Sequence, residues 1–60
     1  MKYICRMWTK TQSGWTSEFE EFKTLEEAIN MGEAHKRLIK RDELARTYEV
    51  YEKVDVYMKK

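Results

Sequence analysis

The sequence predicts a small α+β domain in which a three-stranded sheet carries one helix on one face. Three observations predict this class. Two alternating segments flank a glycine turn near the start, residues 24–39 have the apolar spacing of a helix, and a long later segment is rich in β-branched and aromatic residues. The element order is therefore ββαβ, and residues 1–60 are expected to form a single domain.

Residues 2–9 predict the first strand, with Tyr3, Cys5 and Met7 on one face and Ile4, Arg6 and Trp8 on the other. Both faces are partly apolar, which is typical of a central strand that is covered on both sides. Residues 11–14 form the turn, where Gly14 can adopt a positive φ. Residues 15–22 then predict the second strand.

The helix has a recognisable start and a wide apolar arc. Thr24 and Glu27 match a capping box, in which each side chain satisfies the backbone N–H of the other residue. At 100° per residue one stripe contains Leu25, Ala28, Ile29, Gly32 and Ile39, and His35 lies between it and a second apolar line of Met31, Ala34 and Leu38. A glycine inside a helix costs about 1 kcal/mol relative to alanine. Gly32 is therefore expected to pack closely against the sheet.

Residues 47–58 predict the third strand, while residues 41–46 either extend the helix or form a separate turn. Glu52 interrupts the apolar face of this strand and is expected to mark a bulge or an exposed end. A right-handed crossover through the helix favours parallel second and third strands. The first strand then lies between them, antiparallel to both, in the sheet order 2-1-3.

Chain length and composition exclude several stabilising devices. A domain of 60 residues buries little surface and is marginally stable. One Cys and one His provide neither an internal disulfide nor a four-ligand zinc site, so no metal or cofactor is expected. Because small domains usually need some additional stabilisation, we expect the chain to self-associate as a homodimer. No apolar run reaches the length of a membrane span, and no signal peptide follows Met1. These features predict a cytoplasmic protein without a membrane partner.

One helix can cover only one face of the sheet, so the other face is predicted to be open and aromatic. Exposed aromatic residues in one patch usually mark an interface. The residues expected to bind a protein partner, or a second copy of the chain, are Ile4, Trp8, Trp15, Tyr51 and Tyr57. An unpaired edge, at either the second or the third strand, is a further place where another chain could pair.

A basic cluster at the end of the helix provides an alternative nucleic-acid-binding function. Its members are Lys36, Arg37, Lys40 and Arg41, and tryptophans and tyrosines elsewhere could stack on bases. The same cations also complement the helix dipole. The net charge of +1 creates no overall field that would favour nucleic acid.

The sequence contains little that indicates catalysis. A Cys5–His35 pair would form a thiolate nucleophile if the fold brought the two side chains together, but a lone His beside an apolar helix face is more typical of packing. An acidic cluster could hold a cation, but a solvated strand edge and a helix start are the favoured explanation; it comprises Glu18, Glu20, Glu21, Glu26 and Glu27. The protein is therefore expected not to be an enzyme.

In its length, its hairpin–helix–strand order and its helix start at residues 24–28, the chain resembles the short accessory proteins of bacteriophages and prophages. That resemblance implies a protein that binds and modulates a host protein. The functional hypothesis is a small, non-catalytic binding or regulatory protein.

Overall fold

The computed structural model describes residues 2–54 of the chain. Its elements are β1 (Lys2–Thr11), β2 (Gly14–Phe22), α1 (Leu25–Arg37) and β3 (Glu43–Lys53). The three strands form one sheet in the order β2-β1-β3, with β1 antiparallel to both neighbours. The predicted ββαβ class and sheet order are confirmed. In this part of the chain no helix is long and apolar enough to cross a bilayer.

The hairpin of β1 and β2 sets the two faces of the sheet. The strands pair without interruption from Tyr3↔Phe22 to Thr11↔Gly14, and Gly14 has the positive φ of 118° expected at this turn. Residues directly opposite each other in an antiparallel pair share a face. Tyr3, Cys5 and Met7 therefore lie on the helix side, as predicted from their alternation.

The helix begins and ends at identifiable caps. The Thr24 hydroxyl accepts a hydrogen bond of 3.2 Å from the Glu27 N–H, so the threonine half of the predicted capping box is confirmed. At the other end the Leu38 N–H donates to the carbonyls of Ala34 and His35. The helix thus ends at Arg37 rather than at residue 39.

The helix packs on the sheet through its small residues and a histidine. Ala28, Gly32 and His35 are buried, whereas Leu25 and Ile29, which were expected on the same stripe, are 47% and 39% exposed. The expected Ile39 is also about half exposed, because it follows the end of the helix. The predicted stripe is therefore only partly correct.

A close approach between Gly32 and Tyr48 explains this packing. A Cβ atom at position 32 would overlap the aromatic ring of Tyr48, so only glycine permits the helix to approach β3 this closely. The Tyr48 hydroxyl donates to the Glu33 carboxylate at 2.6 Å, which holds the ring under the helix. Beneath the helix the core consists of Cys5, Met7 and Ala28, with Tyr3, Phe22, Met31, Tyr48 and Val50 packed against it.

Residues 41–46, for which the sequence allowed either a helix extension or a turn, contain the start of β3. The Glu43 carboxylate accepts hydrogen bonds from Arg46 Nε and Nη2 at 2.8 and 3.0 Å, and from the Lys40 N–H at 2.8 Å. β3 therefore begins at Glu43 and not at residue 47. Glu52 is exposed one residue before the end of β3, so of the two expected alternatives it marks the exposed end and not a bulge. The irregularity in the β1–β3 pairing lies between Lys10 and Thr11. Residues 55–58 of the predicted strand lie outside the described residues.

Arg46 also joins β3 to the end of the helix. Its Nη1 donates to the His35 carbonyl at 3.0 Å and lies 3.4 Å from His35 Nδ1. A guanidinium can only donate, so Nδ1 is the accepting nitrogen and Nε2 carries the proton. Nε2 then donates to the Trp8 carbonyl at 2.9 Å. The expected packing role of His35 is confirmed, and one buried imidazole links the helix to the central strand.

Gly32→Ala is expected to destabilise the fold, although alanine is the better helix former. The added methyl must displace the Tyr48 ring, and overpacking of this kind costs about 1–3 kcal/mol, more than the gain of about 1 kcal/mol in helix propensity. Chemical denaturation measures the difference. In a Tyr48→Val background the cost of Gly32→Ala should largely disappear. Equal costs in both backgrounds would show that the ring is not the obstacle.

Glu43→Gln is expected to destabilise the protein at neutral pH and much less in acid. The hydrogen bonds from Arg46, followed by that from the Lys40 amide, lower the pKa of Glu43 below its usual value of 4.5. A carboxyl with a depressed pKa stabilises the folded state above the unfolded-state pKa, and this stabilisation is lost as the pH falls through the folded-state value. Thermal melts from pH 7 to pH 3 should show the wild type and the variant converging.

Glu49→Gln, in the same strand and without an ion pair, is the matched control for this experiment. A Glu43→Gln variant whose stability deficit stays constant over that pH range would contradict the assigned role of the Glu43–Arg46 pair.

Candidate functional site

The face of the sheet opposite the helix is the candidate site, and we refer to it as the open face. It is defined by the register of the three strands, since every second residue points away from the helix. The open face consists of Lys2, Ile4, Arg6, Trp8 and Lys10 from β1, of Trp15, Ser17, Phe19 and Glu21 from β2, and of Ala45, Thr47, Glu49, Tyr51 and Lys53 from β3.

The structure brings four of the five predicted protein-binding residues together on this face. Ile4 and Tyr51 are cross-strand partners, and Trp8 and Trp15 follow toward the hairpin end. Trp15 and Tyr51 are substantially exposed, while Trp8 is half-buried. Ile4 is only 6% exposed, because its neighbours on this face cover it. The fifth residue, Tyr57, lies outside the described residues.

Phe19 and Arg6 are two central members of the open face that the sequence interpretation missed. They are direct cross-strand partners, and Phe19, at 66% exposed, is the most exposed aromatic residue whose burial is described. The signal was present in the sequence, since Phe19 shares its strand parity with Trp15. Its position beside Arg6 follows only once the register of the hairpin is known.

A shallow depression lies in the half of the open face that contains the start of β1. Ile4, in the central strand, forms its floor, and the rings of Phe19 and Tyr51 stand on either side. The depression has a volume of about 400 Å³ and is lined by Ile4, Arg6, Phe19, Glu21, Tyr51 and Lys53. It has the size and the mixed lining to accept one or two side chains of a partner.

The charges on the open face are predominantly basic. Lys2 and Lys53 both contact Glu21, at 3.6 and 2.7 Å. The hydrogen bond from Lys53 is the largest cause of the lowered pKa of Glu21. Because its pKa is lowered, this carboxylate stays ionised at a lower pH than an ordinary glutamate does. With Arg6 and Lys10 the face carries four basic residues against two acidic ones, Glu21 and Glu49.

Two of these cations lie against aromatic rings. The Arg6 guanidinium is 5.6 Å from the centre of the Trp8 ring, and Lys10 Nζ is 5.9 Å from the centre of the Trp15 ring. Among residues 2–54 Arg6 makes no ion pair, even with its cross-strand neighbour Glu49. Its guanidinium is therefore held in place by stacking and remains available to a carboxylate or a phosphate.

The basic cluster predicted to bind nucleic acid is separate from this surface. Lys36 and Arg37 lie in the last turn of α1, and Lys40 and Arg41 follow in the connection to β3. All four are exposed. They lie on the helix side of the sheet, whereas Trp8 and Trp15 lie on the open face. The basic cluster and the two tryptophans that the sequence suggested as stacking groups therefore do not form one surface.

The possible Cys5–His35 nucleophile pair is not assembled. Cys5 is completely buried in the core, and burial, with a smaller contribution from Glu20, raises the pKa of its thiol. Both ring nitrogens of His35 face other partners, Trp8 and Arg46. Within residues 2–54 no three His, Cys, Asp or Glu side chains converge on a point suited to a metal ion.

Comparison of the chain with protein-family models, with curated proteins and with solved structures found no match in any of the three.

Proposed function

We propose that the protein is a non-catalytic protein-binding module that docks a partner on its open face. The observation that supports this most directly is the unpaired Arg6 at the centre of that face, surrounded by Ile4, Trp8, Phe19 and Tyr51. Tryptophan, tyrosine and arginine are the residues that most often dominate binding energy at protein interfaces. The hairpin–helix–strand order, in which the chain resembles phage accessory proteins, is consistent with a module that modulates another protein.

The charges favour a partner that carries carboxylates next to apolar side chains. A carboxylate can pair with Arg6 while its apolar neighbours fill the depression between Phe19 and Tyr51. A second copy of the chain on this face would present the same excess of basic residues, so charge opposes the homodimer expected through it. That dimer stays a prediction, and the mass measurement below tests it.

Size also constrains the interaction. Three strands of about ten residues, spaced about 4.8 Å apart and rising about 3.3 Å per residue, present a projected area of about 500 Å². A standard protein interface buries about 800 Å² on each partner. Accessible area follows the relief of the side chains and exceeds the projected area, so the open face and one side of a standard interface are of the same order of size. A partner that also reaches an edge of the sheet would bury more surface.

Phe19→Thr is expected to weaken partner binding at least tenfold, since truncating a central aromatic residue typically has an effect of this size. Threonine is a good strand residue and Phe19 is mostly exposed, so the fold should be retained. A displayed library of random peptides, selected on the wild type, supplies the ligands. The recovered peptides should combine Asp or Glu with aromatic or aliphatic residues, and fluorescence anisotropy measures their affinities.

Leu38→Thr is the matched control, because Leu38 is 65% exposed and lies at the end of the helix, away from the open face. Arg6→Gln should lower affinity for the acidic peptides, while the control should leave it unchanged. Peptides insensitive to Phe19→Thr would contradict the proposal. Salt-sensitive binding of single-stranded DNA that requires Phe19 would replace it with a nucleic-acid function. A dimeric mass lost in Phe19→Thr would identify the face as a self-interface.

A further inference from the structure

β2 is one of the two edge strands of the described sheet. β2 is paired on one side only, with β1, and none of residues 2–54 forms a strand on its other side. The strand has nine residues, no proline and no bulge in its pairing with β1. The seven residues from Trp15 to Glu21 are all exposed. A long, regular, unpaired edge of this kind is a template for another strand.

The two faces of β2 have different chemistry. Trp15 and Phe19 belong to the open face, whereas Glu18 and Glu20 point to the helix side. The helix leaves these two glutamates exposed, because its close contact with Tyr48 draws it toward β3. Neither carboxylate makes an ion pair with a described residue, although Glu21 on the opposite face has two. An added strand would therefore meet aromatic rings on one side and, on the other, carboxylates that have no ion pair among the described residues.

The opposite edge of the sheet, at β3, is less suited to strand addition. Tyr48 and Arg46 on its helix side are engaged with Glu33 and the His35 carbonyl. It carries charges of both signs, three glutamates with Arg46 and Lys53, which disfavours a partner with charge of one sign. In β2 every charged residue is a glutamate.

We propose that an extended segment of another protein pairs with the outer edge of β2 as a fourth strand, with basic residues at alternate positions facing Glu18 and Glu20. Its intervening residues are apolar and extend the aromatic surface of Trp15 and Phe19. Main-chain hydrogen bonds supply affinity, and the alternating side chains supply selectivity. A second copy of β2 is a poor occupant, because it would place two strands of three glutamates each side by side. The inference does not depend on the function proposed for the open face.

A pair of short synthetic peptides tests the proposal on the full chain. The first is a hexapeptide that alternates valine and lysine, and the second alternates valine and glutamate; both have blocked termini. The lysine peptide is expected to bind and to slow amide hydrogen exchange in residues 15–21. Glu18→Lys with Glu20→Lys should weaken its binding about tenfold and reverse the preference toward the glutamate peptide, since opposite cross-strand charges attract and like charges repel.

Glu49→Lys with Glu52→Lys is the control for net charge, because it makes the same charge change on the other edge strand, with one substitution on each face of the sheet. This control should lower affinity for the lysine peptide much less than the β2 variant. Circular dichroism verifies that both variants remain folded. The proposal is overturned if neither peptide binds, if both variants weaken binding equally, or if the slowed amides lie outside β2. It is also overturned if residues 15–21 become protected with rising protein concentration alone, together with a doubled mass, because the occupant is then a second copy.

Discussion

The close contact between Gly32 and Tyr48 determines how the helix lies on the sheet. Because the ring occupies the space of a missing Cβ, the helix axis comes down over the central strand and β3. Tyr48 is tied to Glu33, so the helix cannot slide toward β2 without losing both interactions. A single helix, about 10 Å in diameter, is narrower than three strands spaced about 4.8 Å apart. Residues 15–21 of β2 are consequently left exposed on both faces, and this asymmetry follows from one glycine.

A second set of interactions holds the end of the helix in place. Arg46 forms a bidentate pair with Glu43 at the start of β3 and reaches the His35 carbonyl at the end of α1. His35 in turn donates to the backbone of the central strand. The side chains of Arg46, Glu43 and His35 are polar, but none of them is fully exposed. Hydrogen bonds between such groups contribute more to stability than those on an open surface. The hydrogen bonds of Arg46 to Glu43 and His35 thus fix the connection between α1 and β3, which contains no proline.

The sequence was sufficient for the architecture because local signals agreed with one another. Thr24 marks the helix start, Gly14 the hairpin, and alternation in β1 its position between two strands. The helix face was only partly predictable, since spacing alone cannot show that Gly32 rather than Ile29 makes the closest contact. The early start of β3 was hidden as well, because Glu43, Leu44, Ala45 and Arg46 are all good helix formers and only the structure shows that Arg46 pairs with Glu43.

For the candidate site, the sequence could place aromatic residues on an uncovered face but not arrange them. That Arg6 lies beside Phe19 depends on the hairpin register, and that the basic helix end lies away from the tryptophans depends on which face the helix covers. Both facts changed the interpretation. The hairpin register places the Arg6 guanidinium, which has no ion pair among the described residues, on an apolar surface. The position of the helix separates the basic cluster from the tryptophans, which nucleic-acid binding would need together.

A partner that contacts both the open face and the β2 edge would form a larger interface than a partner that contacts either surface alone. The open face offers about 500 Å² of projected area. An isolated edge strand offers backbone hydrogen bonds but little apolar burial. A partner segment added beside β2 widens the sheet by about 4.8 Å and continues the row of Trp15 and Phe19. The rest of that partner can then lie over Arg6 and the depression. Because Glu18 and Glu20 are acidic and the open face is basic, such a partner must carry opposite charges on its two parts, and this polarity would fix its orientation.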